Sequence, residues 1–167
     1  MALACALIAS AAAADPPDPP LWGAAREGMS LAQVRGLTPA GHAPSRPDQS
    51  ATGAFVRLEA PTSLDGQPAV ASYFFVADRL EEVGLSVSAA GVDEGFVRRV
   101  EQGLDARLGR RVYCQSDPGF TDNCVWMNDR LAATTAVTMA LHKLHVTYLS
   151  AATYRQHFDG DRLRAHH

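Results

Sequence analysis

The strongest constraint on how this chain can fold is a strand, turn, strand signal that occurs twice, as FFVADRL at 74–80 and as VWMNDRL at 125–131. In each, apolar and aromatic residues suited to a pleated, half-buried surface run into a two-residue polar turn, Ala77-Asp78 or Asn128-Asp129, and then into a second strand. A connection that short joins antiparallel neighbours only. Further strands are expected at GAFVRLEA (53–60), LEEVGLSVS (80–88), LAATTAVTMAL (131–141) and the cleanly alternating LHVTYLS (144–150), with the turn-rich PTSLDGQP (61–68) linking the first of these to the next.

A second signal also recurs, and in the same order along the chain. GMSLAQVR at 28–35 parallels GVDEGFVR at 91–98, each offering an apolar residue, an N-cap former and then Val-Arg. Ser30 is placed to cap a helix with Gln33 reaching back to it, and Met29 is placed to meet Val34; Asp93 and the pair Val92 and Val97 do the same in the second copy. The first helix is expected to be short, because Gly36 and Pro39 end it. The second runs through Phe96, Val100, Leu104 and Leu108 to Gly109, an apolar face at helical spacing. The expected fold class is therefore α+β: two tandem helix-plus-antiparallel-strand repeats, with the helices packed on one side of an antiparallel sheet. The boundaries read as an export segment at 1–14, a proline-rich spacer at 15–27, a first repeat at 28–90, a second at 91–155 and a polar C-terminal tail at 156–167.

Compartment follows from the ends and the cysteines. MALACALIASAAAAD is apolar, rich in small residues and closes on Ala-x-Ala before Asp15, as a secretory segment does, with cleavage expected after Ala14. Cys5 follows Ala2-Leu3-Ala4 in only a loose likeness of a lipobox, so lipid anchoring is not expected. No later segment has the roughly 18 apolar residues that a membrane-crossing helix needs. In VYCQSDPGFTDNCVW the spacing of Cys114 and Cys124 is not that of a CxxC redox motif, and a zinc site needs two more ligands. His142 and His145, if they lie on a strand, point to opposite faces. The residues between the cysteines are turn formers centred on Asp117-Pro118-Gly119, so a disulfide across a hairpin, in a periplasmic or secreted protein, is the expectation.

EGMSLAQVRGL at 27–37 followed by strands, with the aromatic strand turning through Asp-Arg-Leu, resembles the small exported domains of the SmpA/OmlA type, the lipoprotein of the outer-membrane barrel-assembly machinery, and the related beta-lactamase-inhibitor-protein-like fold. The resemblance implies binding rather than catalysis. Independently, a formal net charge of -3, with Lys143 the one lysine, gives no electrostatic footprint for nucleic acid. GxSxG, HExxH, P-loop and GxGxxG elements are absent, so no catalytic, metal or cofactor-binding residue is expected. His42 reads as a loop histidine, and His157, Asp159 and Asp161 as a polar tail rather than a metal cluster. The function expected is a non-catalytic protein-binding or scaffold module of the bacterial envelope, with Trp22, Tyr73, Phe75, Trp126 and Tyr148 as candidate anchors for a protein partner wherever alternation exposes them. The alternative is a small periplasmic, hydrolase-like enzyme. An open aromatic patch favours the first, and a pocket with convergent titratable groups the second.

Overall fold

A computed structural model of the chain describes residues 18–88, 91–117 and 121–159. The export segment with Cys5, the Pro118-Gly119 part of the expected bend, the side chain of Asp159, and Asp161 lie outside the described residues. After α1 (Leu31–Leu37) come β1 (Phe55–Leu64), β2 (Gln67–Val76) and β3 (Arg79–Ser88), then α2 (Glu94–Leu108). Four more strands follow: β4 (Tyr113–Asp117), β5 (Thr121–Met127), β6 (Leu131–Thr138) and β7 (Lys143–Ser150). A short helix α3 (Ala151–Tyr154) then passes into a π-helical turn (Arg155–Asp159).

Local chemistry explains each of these elements. At α1, Ser30 and Gln33 form the reciprocal capping box. At α2 the Asp93 carboxylate accepts from Phe96 N–H, and Gly109 closes the helix at φ 87°, a conformation that costs glycine little. The β2–β3 hairpin turns on Ala77 and Asp78, both left-handed at φ 46° and 64°, and β1–β2 turns on Asp65 and Gly66 at φ 46° and 78°. Paired left-handed residues match the right-handed twist of the flanking strands. The β5–β6 turn is one residue longer, with Asn128 Oδ1 accepting from the N–H groups of Arg130 and Leu131. PTSLDGQP is mostly strand, since only Asp65-Gly66 forms the turn; β1 is an edge strand, where Pro61 leaves no inner ladder bond unmade.

The expectation of two tandem repeats with helices on one side is overturned. All seven strands form one antiparallel sheet in the order β1-β2-β3-β7-β6-β5-β4, and β7 inserts between β3 and β6. The two stretches are not equivalent units: α1 has seven residues and buries only Val34, whereas α2 has fifteen and buries Phe96, Val100, Leu104 and Leu108. Helices also occupy both faces. The front face carries α2 and the segment that contributes Leu21, Ala25 and Val34 to the main core; on the back face Tyr154, with Phe158 against it, packs on Val125, Ala132 and Leu149. A tandem arrangement would need each half to cover its own strands, and α1 buries a single residue, Val34. An irregular segment does that work instead: Arg107 donates to the carbonyl oxygens of Pro20 and Leu21, which fastens the segment to α2, and Trp22 stacks on Tyr148 at 5.8 Å.

Candidate functional site

The cysteines and aromatics singled out from the sequence belong to the scaffold. Cys114 and Cys124 are joined by a disulfide and face each other as cross-strand partners in β4 and β5. Tyr73, Phe75, Trp126 and Tyr148 are buried in the front-face core, and Trp22 is half-buried beside them. Their register explains this: Trp126, Ala133, Tyr148, Val83 and Tyr73 pair in one row across five strands, so they share the face that α2 and the N-terminal segment cover. Trp126 Nε1–H is satisfied by the Asp105 carboxylate on α2 at 2.7 Å, and Arg107 lies 4.9 Å over the Tyr148 ring. Of the five candidate anchors, Trp22 alone keeps a partly exposed ring, beside a surface concavity that Tyr73 also lines. His42 is an exposed loop residue, and His157 is half-buried. His142 and His145 point to different surroundings: His142 Nδ1 lies 3.2 Å from Val92 O, whereas His145 Nδ1 lies 2.9 Å from Ser86 Oγ. Among the described residues no group of three or more His, Cys, Asp or Glu side chains is placed to hold a metal ion. Nor is any helix there long and apolar enough to cross a membrane.

The back face holds a groove of about 420 Å³. Its floor is drawn from three rows of cross-strand partners, though Ala132, Gly84 and Ser86 do not themselves line it. Phe74, Glu82, Leu149 and Ala132 form the first, Gly84, Thr147, Thr134 and Val125 the second, and Ser86, His145, Ala136 and Asn123 the third. One wall is the loop that leads into β1, where Ser50 N donates to Ala54 O, Gly53 N to Ser50 O, and Val56 N to Asp48 O. The other is the C-terminal turn, fixed by the Ser150 cap on Thr153 and by the Tyr154 and Phe158 rings stacked at 5.0 Å. Gly84 lies in the middle. A Cβ there would come within 2.9 Å of the His145 ring and 3.3 Å of Phe74, so glycine is what lets the imidazole and the phenyl ring lie down on the sheet.

Two ionisable groups in the groove are perturbed. Burial pushes the Glu82 carboxyl above its ordinary value; hydrogen bonds from Ser50 and Thr52 oppose this, while the charges of Glu81 and Asp48 add to it. Glu82 is only 6% exposed, and Thr52 Oγ1 donates to its Oε2 at 3.4 Å. Burial holds the His145 imidazole below its ordinary value, against the pull of Asp48. Ser86 and His145 make a hydrogen-bonded pair, but β3 and β7 are inner strands whose N–H groups are spent in ladders on both sides, so the backbone around them offers no oxyanion donors.

Sequence reasoning missed Glu82, Asp48 and the role of His145. Alternation counted from Leu80 places Glu82 on the same face as that core leucine. In the fold the pairing advances from Phe74↔Glu82 to Phe75↔Leu80, so Glu81 is a bulge and Glu82 turns to the opposite face. A glycine inside an otherwise apolar strand, at Gly84, was the available signal of close approach. Comparison with models of known families, with curated proteins and with solved structures yields no match, and the groove is therefore read from its own residues.

Proposed function

We propose that this chain is an exported binding module that acts without catalysis in the periplasm or outside the cell, and that it takes a small ligand into the back-face groove. The observation that carries this reading is the groove itself: a walled concavity of about 420 Å³ on the back face of the sheet, apolar over much of its lining, with a few polar side chains aimed into it. That size and composition suit a small ligand. The disulfide supports an oxidising compartment. The resemblance to SmpA/OmlA-type domains also favours binding, and it supplies no residue to the site. A protein partner docked on the sequence-predicted aromatics is less favoured, because Tyr73, Phe75, Trp126 and Tyr148 are committed to the core and Trp22 alone is partly exposed.

A second reading, a proton-transfer enzyme, draws on one specific observation: a carboxyl raised and an imidazole lowered in the same groove are the pairing that acid–base catalysis uses. Native mass spectrometry of the protein purified from envelope extracts tests the binding reading. A non-covalent small-molecule adduct is expected on the parent protein and is expected to be missing from a folded Ala136→Trp variant, whose indole fills the floor. Identical spectra for the two proteins would remove the groove from consideration. Turnover of the adduct that stops in Glu82→Gln would favour the enzyme.

A further inference from the structure

The two sides of the groove differ in chemistry. Toward β5 and β6 it is apolar, with Val125 and Leu149 beneath Tyr154 and Phe158. Toward β2 and β3 it is acidic, with Glu82 on the floor and Asp48 on the loop above, and Ser50 between them hydrogen-bonded to Thr52. Among the described residues no lysine or arginine lines the groove. A carboxylate offers about four lone-pair sites. Among the described residues, the hydrogen bonds to Glu82 come from the neutral hydroxyls of Ser50 and Thr52. A buried carboxylate without a cation is a costly arrangement unless something else supplies the positive charge.

We propose that the groove binds a primary ammonium carried on an apolar chain or ring, with the ammonium seated between Glu82 and Asp48 and the apolar body lying across β7 and β6 toward Tyr154 and Phe158. This rests on the groove being the ligand site. An ammonium group brings three donors and no acceptor, which matches an acceptor-rich end made of two carboxylates, the Ser50 hydroxyl and the Gln49 side chain. The threonine methyls and the aromatic rings suit the rest of the molecule. A ligand carboxylate is refused by the same residues.

Binding is linked to protons. The titratable groups facing Glu82 are Asp48 from the loop, Glu81 beside it on β3 and His145 from β7, and Tyr154 of α3 lines the same groove. The ligand's charge favours the Glu82 carboxylate, so it displaces the proton that burial retains there; a protonated His145 repels the ligand. Both effects make affinity rise with pH from the acid side toward neutrality.

Calorimetric titration of the full chain with octylammonium, octanol and octanoate tests the proposal. Octylammonium is expected to bind about tenfold or more tighter than octanol, as a charge-assisted hydrogen bond allows, and octanoate weakest of the three. Its affinity should rise between about pH 5 and about pH 7, the range in which a raised carboxyl and a histidine titrate. Glu82→Gln should narrow the gap between octylammonium and octanol and make the pH profile shallower, leaving the part that His145 contributes. Asp48→Asn, on an exposed loop residue, should weaken octylammonium alone, and it guards against a folding defect in the buried variant. Octanol or octanoate binding as tightly as the amine would overturn the ammonium assignment while leaving the groove as a ligand site. No binding of any probe, with Ala136→Trp also without effect on ligand content, would overturn both. A lysine-bearing apolar peptide that bound about tenfold tighter than octylammonium would assign the site to a protein and overturn the small-ligand source.

Discussion

Glu82 concentrates the tension in this molecule. It is an acid held on a sheet face with an acidic neighbour above it and hydroxyls for company, and its folded-state carboxyl keeps a proton more firmly than the unfolded chain does. The sign of the consequence is fixed. Stability contributed by the neutral carboxyl is complete below the unfolded value of about 4.5 and is lost as pH rises through the higher folded value. Glu82→Gln removes that loss. Its unfolding free energy relative to the parent should therefore grow from about pH 4 to about pH 7, and urea denaturation at the two pH values measures it. His145, with a lowered folded value, works the other way: its contribution is complete above its unfolded value near 6.5 and is lost as pH falls through the lower folded value. Because both proteins carry it, that effect cancels to first order. A gap that stays constant with pH would mean that Glu82 titrates like an exposed acid.

Among the elements, the β2–β3 hairpin places alanine where the backbone is left-handed. Ala77 sits at φ 46°, ahead of Asp78 at 64°. An L-residue with a Cβ is disfavoured there by roughly 1 to 2 kcal/mol, and asparagine tolerates the conformation better. Ala77→Asn should raise the unfolding free energy by about 1 kcal/mol, read from the shift of the urea midpoint at unchanged slope. This hairpin and the two helix caps were legible in the sequence because each is written within a few residues: Ala77-Asp78 between two apolar runs, Ser30 with Gln33, Asp93 ahead of Phe96. The joining of β3 to β7 was not legible, because no local pattern names a partner that lies beyond α2 and three further strands. For the same reason the two similar caps suggested a duplication that the fold does not contain. The site was hidden by a smaller irregularity: the bulge at Glu81 reverses the alternation on which any assignment of faces depends, so an acid counted into the core faces the groove.

For the molecule as a whole, the sheet has two ends with different protection. Beyond β1 the segment that includes His42 and Gln49 makes isolated bridges to Glu59 and Phe55, which cover part of that edge. β4 forms the other edge, is five residues long, and is tied to β5 by the Cys114–Cys124 bond. Reducing that bond should cost about 2 to 4 kcal/mol of stability, measurable as a lower urea midpoint with dithiothreitol present; an unchanged midpoint would mean that the bridge adds nothing to the fold. The place of β7 has a different kind of consequence. Ribosomes and export channels deliver a chain from its N-terminus, yet the strand that fills the gap between the β1–β3 and β4–β6 parts of the sheet is the last of the seven to emerge. Until it arrives, β3 and β6 each present a bare inner edge. The nascent protein is thus two incomplete sheets awaiting one insertion, a state open to pairing with foreign strands, and holdase chaperones should find their natural client in the chain that ends just short of Lys143.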